Sequence, residues 1–114
     1  MLLFFQMLVG HAFMDFPMQN GPMATEKSRH STTELQKQVP WYYWLTAHAL
    51  LHGGAVLYIT GSLGFGLIET ALHWIIDYAK CERWTNIHID QTLHVICKAL
   101  WALLIFNGVR LDIR

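Results

Sequence analysis

Charge is what this sequence has least of. Only 14% of its 114 residues are Asp, Glu, Lys or Arg, about half the share found in an ordinary soluble domain. Eight basic and eight acidic residues cancel to a formal net charge of zero. No basic run is present to follow a phosphate backbone, which excludes a nucleic-acid partner. Disorder needs low hydrophobicity and high net charge, and 54% of this chain is hydrophobic. Two cysteines, Cys81 and Cys97, are too few for a disulfide framework. The length allows one compact domain. Histidine alone is in excess, with seven residues in a chain otherwise short of polar groups.

Four apolar stretches lie between the polar ones, at about 1–19, 41–60, 62–79 and 89–109. Each is close to the ~20 residues a helix needs to cross a bilayer. The second has no charged residue and is bounded by Pro40 and Gly61, so it lacks the solvated face that a surface helix requires. A soluble four-helix bundle is the competing fold, and a mean hydropathy of only +0.28 gives it some support. The prediction is an all-α fold, a four-transmembrane-helix bundle forming one integral membrane domain over 1–114. A polar cytoplasmic loop, Asn20–Gln38, joins helices 1 and 2, with a turn of helix at Thr33–Gln38. The first stretch lacks a basic n-region and a clear cleavage site, and is read as a retained helix. Lys27, Arg29, Lys37, Lys80 and Arg83 fall in two loops on one side, against Arg110 and Arg114 on the other. By the positive-inside rule the two basic loops face the cytoplasm and both termini lie outside it, in a bacterial inner membrane.

Each apolar stretch carries two metal-competent residues four apart: His11 and Asp15, His48 and His52, His73 and Asp77, Asp90 and His94. Positions i and i+4 share a helix face. Successive helices run in opposite directions, so a common depth requires opposite sequence offsets. Asp follows His in the first and third helices and precedes it in the fourth. His11, His48, His73 and His94 then lie about 8–12 Å from the cytoplasmic end at 1.5 Å per residue, and the aspartates nearer that end. His52, Glu69 and Lys98 form a deeper layer. A single buried histidine is usually a hydrogen-bonded core residue. Eight ionisable groups converging at one level inside a membrane point to function, and their types suit zinc, as one or two ions. Glu69 and Lys98 either pair with each other or serve chemistry, Glu69 as acid, base or extra ligand and Lys98 on an anionic group. His30 and His88 lie outside the helices as surface residues, Cys97 is a packing residue, and Cys81 has no assigned role.

The stretches His11-Ala-Phe-Met-Asp15-Phe16 with Gln19 and Lys27, His48-Ala-Leu-Leu-His52, His73-Trp-Ile-Ile-Asp77 with Lys80, and Asp90-Gln91-Thr-Leu-His94 resemble an uncharacterised domain-of-unknown-function family. Its members are small integral membrane proteins of bacteria and their phages. A more distant likeness is to membrane-bound proteins regarded as metal-dependent hydrolases. Helical His-x-x-x-Asp also looks like a piece of the zinc-dependent phospholipase C and P1 nuclease sites. Pro17 departs from a plain helical continuation. It is expected to end the first helix and turn Gln19 towards the site.

These features lead to an expected metal-dependent hydrolase acting on a phosphoester or lipid-linked substrate at the cytoplasmic face. The eight paired residues are the ligands or orient them, Gln19 and Gln91 orient substrate or water, and Lys27, Lys80 and Lys98 suit an anionic substrate. The expected partners are the bilayer and that substrate. The alternatives are a path for divalent cations or protons, which would need a homo-oligomer to make a pore, a b-type haem protein, and a phage or host interaction protein with a structural metal.

Overall fold

The computed structural model describes residues 1–16, 25–31, 33 and 38–111. Four α-helices are found among the described residues, and no strand. They are α1 (Leu2–Asp15), α2 (Trp41–Thr60), α3 (Leu63–Cys81) and α4 (Ile87–Phe106). Helix α2 keeps the predicted bounds, set by Pro40 at its N-cap and by Gly61, which takes φ 72° at its C-cap. Only a residue without Cβ adopts that left-handed turn freely. Ser62 caps α3 by accepting from the Phe65 N–H at 3.3 Å. Asn86 caps α4 by accepting from Ile89 at 2.9 Å. That cap starts α4 two residues before the predicted position, so His88 is helical, though still exposed.

Helix α1 is shorter than expected. It ends at Asp15 and is 14 residues long, about 21 Å at 1.5 Å per residue, where a stretch to residue 19 was expected. Pro17, Gln19 and residues 34–37 of the helical turn predicted at Thr33–Gln38 lie outside the described residues. Among the described residues one helix, Ile87–Phe106, is long and apolar enough to cross a membrane. The tryptophans, tyrosines and histidines of α2, and the Glu69, His73 and Asp77 stripe of α3, lower the mean hydropathy of those helices.

Helix α2 packs most closely on α3, and the ring closes through α3 on α4, α4 on α1 and α1 on α2. The α2–α3 crossing rests on Gly53 and Gly66. A Cβ on Gly53 would lie 2.6 Å from the Gly66 carbonyl oxygen, and one on Gly66 would lie 2.9 Å from that of Gly53. Small residues that let helix backbones approach in this way are frequent in membrane bundles.

Burial is inverted relative to a soluble protein. Among the described residues, Met7, Leu45, Ala49, Val56, Phe65 and Trp101 are the buried hydrophobic ones, outnumbered by buried polar and charged ones. Phe5, Val9, Ile75, Ile96, Leu103 and Phe106 are exposed. Soluble proteins almost never bury Asp, Glu or Lys fully without a partner, and rarely expose so continuous an apolar exterior. Cys97 packs against the apolar cluster of Met7, Val56, Phe65 and Trp101, as a small packing residue would.

Candidate metal centre

All eight paired residues are buried and face one another in the interior. Asp15, at the last turn of α1, gathers groups from three helices. Its Oδ1 lies 2.8 Å from His52 Nε2 and 3.3 Å from His48 Nε2. Its Oδ2 lies 3.2 Å from His11 Nε2 and accepts from Gln91 Nε2 at 2.8 Å. Asp77 does the same from α3. Its Oδ1 lies 3.1 Å from His94 Nε2. Its Oδ2 lies 3.2 Å from His48 Nε2, 3.6 Å from His73 Nε2 and 3.0 Å from Lys27 Nζ. Asp90 lies in the first turn of α4, where the helix dipole favours a carboxylate. Its Oδ1 is 3.5 Å from His94 Nε2, and its Oδ2 accepts from Lys80 at 3.3 Å.

The imidazoles themselves form a compact group. His52, His73 and His94 are stacked, with centroids 3.7 Å apart for the first pair and 4.0 Å for the second. Residue depth along each helix does not predict this. Side chains lean towards a helix's own N-terminus. On α2 that lean carries His52 up to the Asp15 level, rather than leaving it in the deeper layer with Glu69 and Lys98. On α3 the same lean carries His73 down towards Glu69.

Among the described residues, three groups of donors have atoms that lie mutually within 4.8 Å: Asp15 with His48, His52 and His73; Asp77 with Asp90 and His94; and Glu69 with His73 and His94. Zinc bonds of about 2.0–2.1 Å in a tetrahedron put ligand atoms about 3.3 Å apart. The spacings around His48, His94 and the two aspartates fall at that value. Hydrogen bonding accounts for the His94 Nε2–Asp77 Oδ1 contact at 3.1 Å but not for the others. His48 Nε2 lies between two carboxylates, yet it forms a directed hydrogen bond with neither. His73 Nε2 and Asp90 Oδ1 are likewise buried without a hydrogen-bond partner. Buried polar atoms of this kind call for an explanation, and a shared cation supplies one.

The remaining predicted residues divide. His11 belongs to none of the three donor groups; its Nε2 faces Asp15 and, at 3.0 Å, Gln91 Oε1. The Gln91 amide also donates to Asp90 at 3.2 Å, so this side chain ties α1 to α4 through three site residues. Glu69 and Lys98 pair directly across α3 and α4, and Trp101 Nε1 donates to Glu69 Oε2 at 2.7 Å. Gln19 lies outside the described residues.

The 25–31 segment departs most from expectation. Lys27 was expected as a loop charge that could also serve an anionic substrate, but only 4% of it is exposed, and its ammonium sits on Asp77. The neighbouring Glu26, which carried no signal in the sequence, is also buried and accepts from Ser31 at 3.2 Å and Thr33 at 2.6 Å. Arg29 forks onto Glu82 at the end of α3, with Nη2 2.7 Å from Oε2, and His30 Nε2 lies 3.2 Å from the same oxygen. The Arg29 hydrogen bonds hold the Glu82 carboxyl down to about 2, with His30 adding to the effect.

The bundle and its cluster define a class: a small helical protein with an apolar exterior and an interior of histidines and carboxylates arranged like metal donors. The chain belongs to the DUF3307 family, described as a protein of unknown function, whose model matches residues 3–110. No curated protein and no solved structure matches the chain.

Proposed function

We propose that this is a multi-pass protein of the bacterial inner membrane and a metal-dependent hydrolase, acting on a phosphoester or lipid-linked substrate at the cytoplasmic face. The observation that carries the reading is the set of buried donor atoms without a hydrogen bond, His48 Nε2, His73 Nε2 and Asp90 Oδ1, which lie 3.2–3.6 Å from Asp15, Asp77 and His94. Asp15, His48, His52 and His73 would hold one ion, and Asp77, Asp90 and His94 a second. Zinc suits the mixed imidazole and carboxylate set. When bound it supplies Lewis acidity, polarising a phosphoryl oxygen and activating water near neutral pH.

The chain's own residues do the rest. Lys27 and Lys80 bring two ammonium groups to the carboxylate layer, where they can neutralise an anionic phosphoryl group. Lys80 is the more open of the two, with 24% of its side chain exposed, and marks the side from which substrate arrives. Gln91 holds His11, Asp15 and Asp90 in register. The apolar exterior supports the bilayer as the surrounding solvent. The basic residues Arg29, Lys80 and Arg83, with the aromatic group of Trp41, Trp74, Tyr78 and Trp84, suit a cytoplasmic interface. That orientation puts both termini on the other side. Met7, Val56, Phe65 and Trp101 close the outer half of the interior, which favours hydrolysis over conduction by a single protomer.

Elemental analysis of detergent-purified protein tests the metal. The wild type should carry one or two zinc ions per chain and His73→Ala substantially fewer, while a metal-free wild type would sink the proposal. Release of phosphate from phosphatidyl or polyprenyl phosphoesters, abolished by a chelator and restored by zinc, tests the activity.

A further inference from the structure

His73 contributes to two of the three donor groups, and its two ring nitrogens face different surroundings. Nδ1 lies 3.4 Å from Glu69 Oε1, one turn away on the same helix. Nε2 lies 3.6 Å from Asp77 Oδ2 with no hydrogen bond. A neutral imidazole carries one N–H and one lone pair. With the proton on Nδ1, donated to Glu69, the lone pair on Nε2 is aimed at a carboxylate oxygen. Two facing lone pairs repel, and a cation between them would relieve that repulsion, while the contact with Glu69 favours the proton on Nδ1.

Glu69 is itself held in place. Lys98 Nζ contacts Oε1, and Trp101 Nε1 donates to Oε2 at 2.7 Å. Both oxygens are thus engaged, and the Lys98 ammonium would repel any cation that Glu69 tried to bind. The group formed by Glu69, His73 and His94 is therefore a poor ion site despite its spacing.

We propose that Glu69 is a positioning residue: through its contact with Nδ1 it sets the tautomer of His73, and Lys98 and Trp101 fix Glu69 for that task. The arrangement has the form of a carboxylate–histidine–metal relay, in which the outer carboxylate orients the ring and raises its basicity. The tautomer part stands on the geometry alone, and the effect on metal rests on the reading of His73 as a donor.

The two parts separate experimentally. In metal-free protein labelled with 15N-histidine, long-range 15N–1H correlation reports which His73 nitrogen carries the proton, with His73→Gln supplying the assignment. Wild type should show Nδ1–H, and Glu69→Ala should shift His73 towards Nε2–H. Zinc affinity of the same variant should fall roughly 10- to 100-fold. Glu69→Gln combined with Lys98→Met keeps an acceptor oxygen without a stray charge and should restore most of the affinity. If Glu69→Ala does not fold, Trp101→Phe loosens Glu69 by one hydrogen bond and should give a smaller shift in the same direction. Nε2–H in the wild type, or a variant with unchanged tautomer and unchanged affinity, overturns the proposal. A wild type that binds no zinc overturns the metal reading instead, and the tautomer measurement still decides the role of Glu69.

Discussion

Asp77 is approached by His48, His73, His94 and Lys27, which come from three helices and from the 25–31 segment. Asp77→Asn keeps the shape and removes the charge. It should lower zinc content at least as much as His73→Ala, read by elemental analysis of the purified variant; wild-type zinc content would remove Asp77 from the site. The Glu69–Lys98 pair behaves differently, because it is a buried ion pair beside the donors. Removing one partner of such a pair leaves an uncompensated charge, at a cost of about 3–5 kcal/mol. Lys98→Met should therefore be strongly destabilised in denaturant unfolding from micelles, and Lys98→Met with Glu69→Gln much less so. Equal destabilisation of the single and double variants would contradict that account. The eight paired residues and their shared burial were legible in the sequence because an i,i+4 pair of His or Asp is a local pattern, though His11 joins none of the donor groups. The burial of Lys27 was not, since its partner lies 50 residues away and a lysine in a polar loop resembles any topology marker.

The helices add constraints of their own. At the α2–α3 crossing, a methyl group on Gly53 meets Thr70 Oγ1 at 1.8 Å and the Gly66 carbonyl oxygen at 2.6 Å. The carbonyl cannot rotate away, so Gly53→Ala should push the helices apart and move His52, its sequence neighbour, off Asp15. Loss of thermal stability together with loss of zinc content checks this, and a variant as stable as wild type would show that the helices separate without penalty. Arg83 adopts φ 65° after α3, where Trp84 N–H bonds back to the Ala79 carbonyl at 2.9 Å. This C-terminal turn is usually built on glycine. Arg83→Gly should raise stability by about 1 kcal/mol, measurable as a higher unfolding midpoint. The Arg29 contact fastens the 25–31 segment to Glu82, whose carboxyl is held down to about 2. A carboxyl depressed on folding stabilises fully above its unfolded value near 4.5, and that stabilisation is lost as pH falls towards 2. Hydrogen exchange in the segment should thus be insensitive to pH-driven release above pH 5 and rise below it. Glu82→Gln should remove that dependence.

For the molecule as a whole, the exterior decides which solvent the fold is built for. Ile96 lies midway along α4 and is 55% exposed. In a bilayer, Ile96→Lys places a charge in hydrocarbon and costs about 2.5–3.5 kcal/mol. On a water-facing helix the same change stays within about ±0.5 kcal/mol. Recovery of the variant from the membrane fraction, against Ile96→Leu as control, separates the two environments: a sharp fall supports the spanning bundle, and full recovery with increased solubility contradicts it.

Sequence alone determined the four helices, α2 to its ends and the others to within about four residues, and the ionisable stripe on each. Those features follow from helical periodicity, from capping by Ser62 and Asn86 and from breaks at Pro40 and Gly61, all of which act over a few residues. Tertiary structure decided which donors share a space, that His52 rises to Asp15 while His73 turns to Glu69, and that Lys27 enters the site. These outcomes depend on the direction in which each helix runs and on contacts between residues far apart in the chain. No local pattern encodes either. The shortage of charge and the excess of histidine thus have one structural expression, a bundle with its paired histidines and aspartates inside and most of its large hydrophobic residues at least partly exposed.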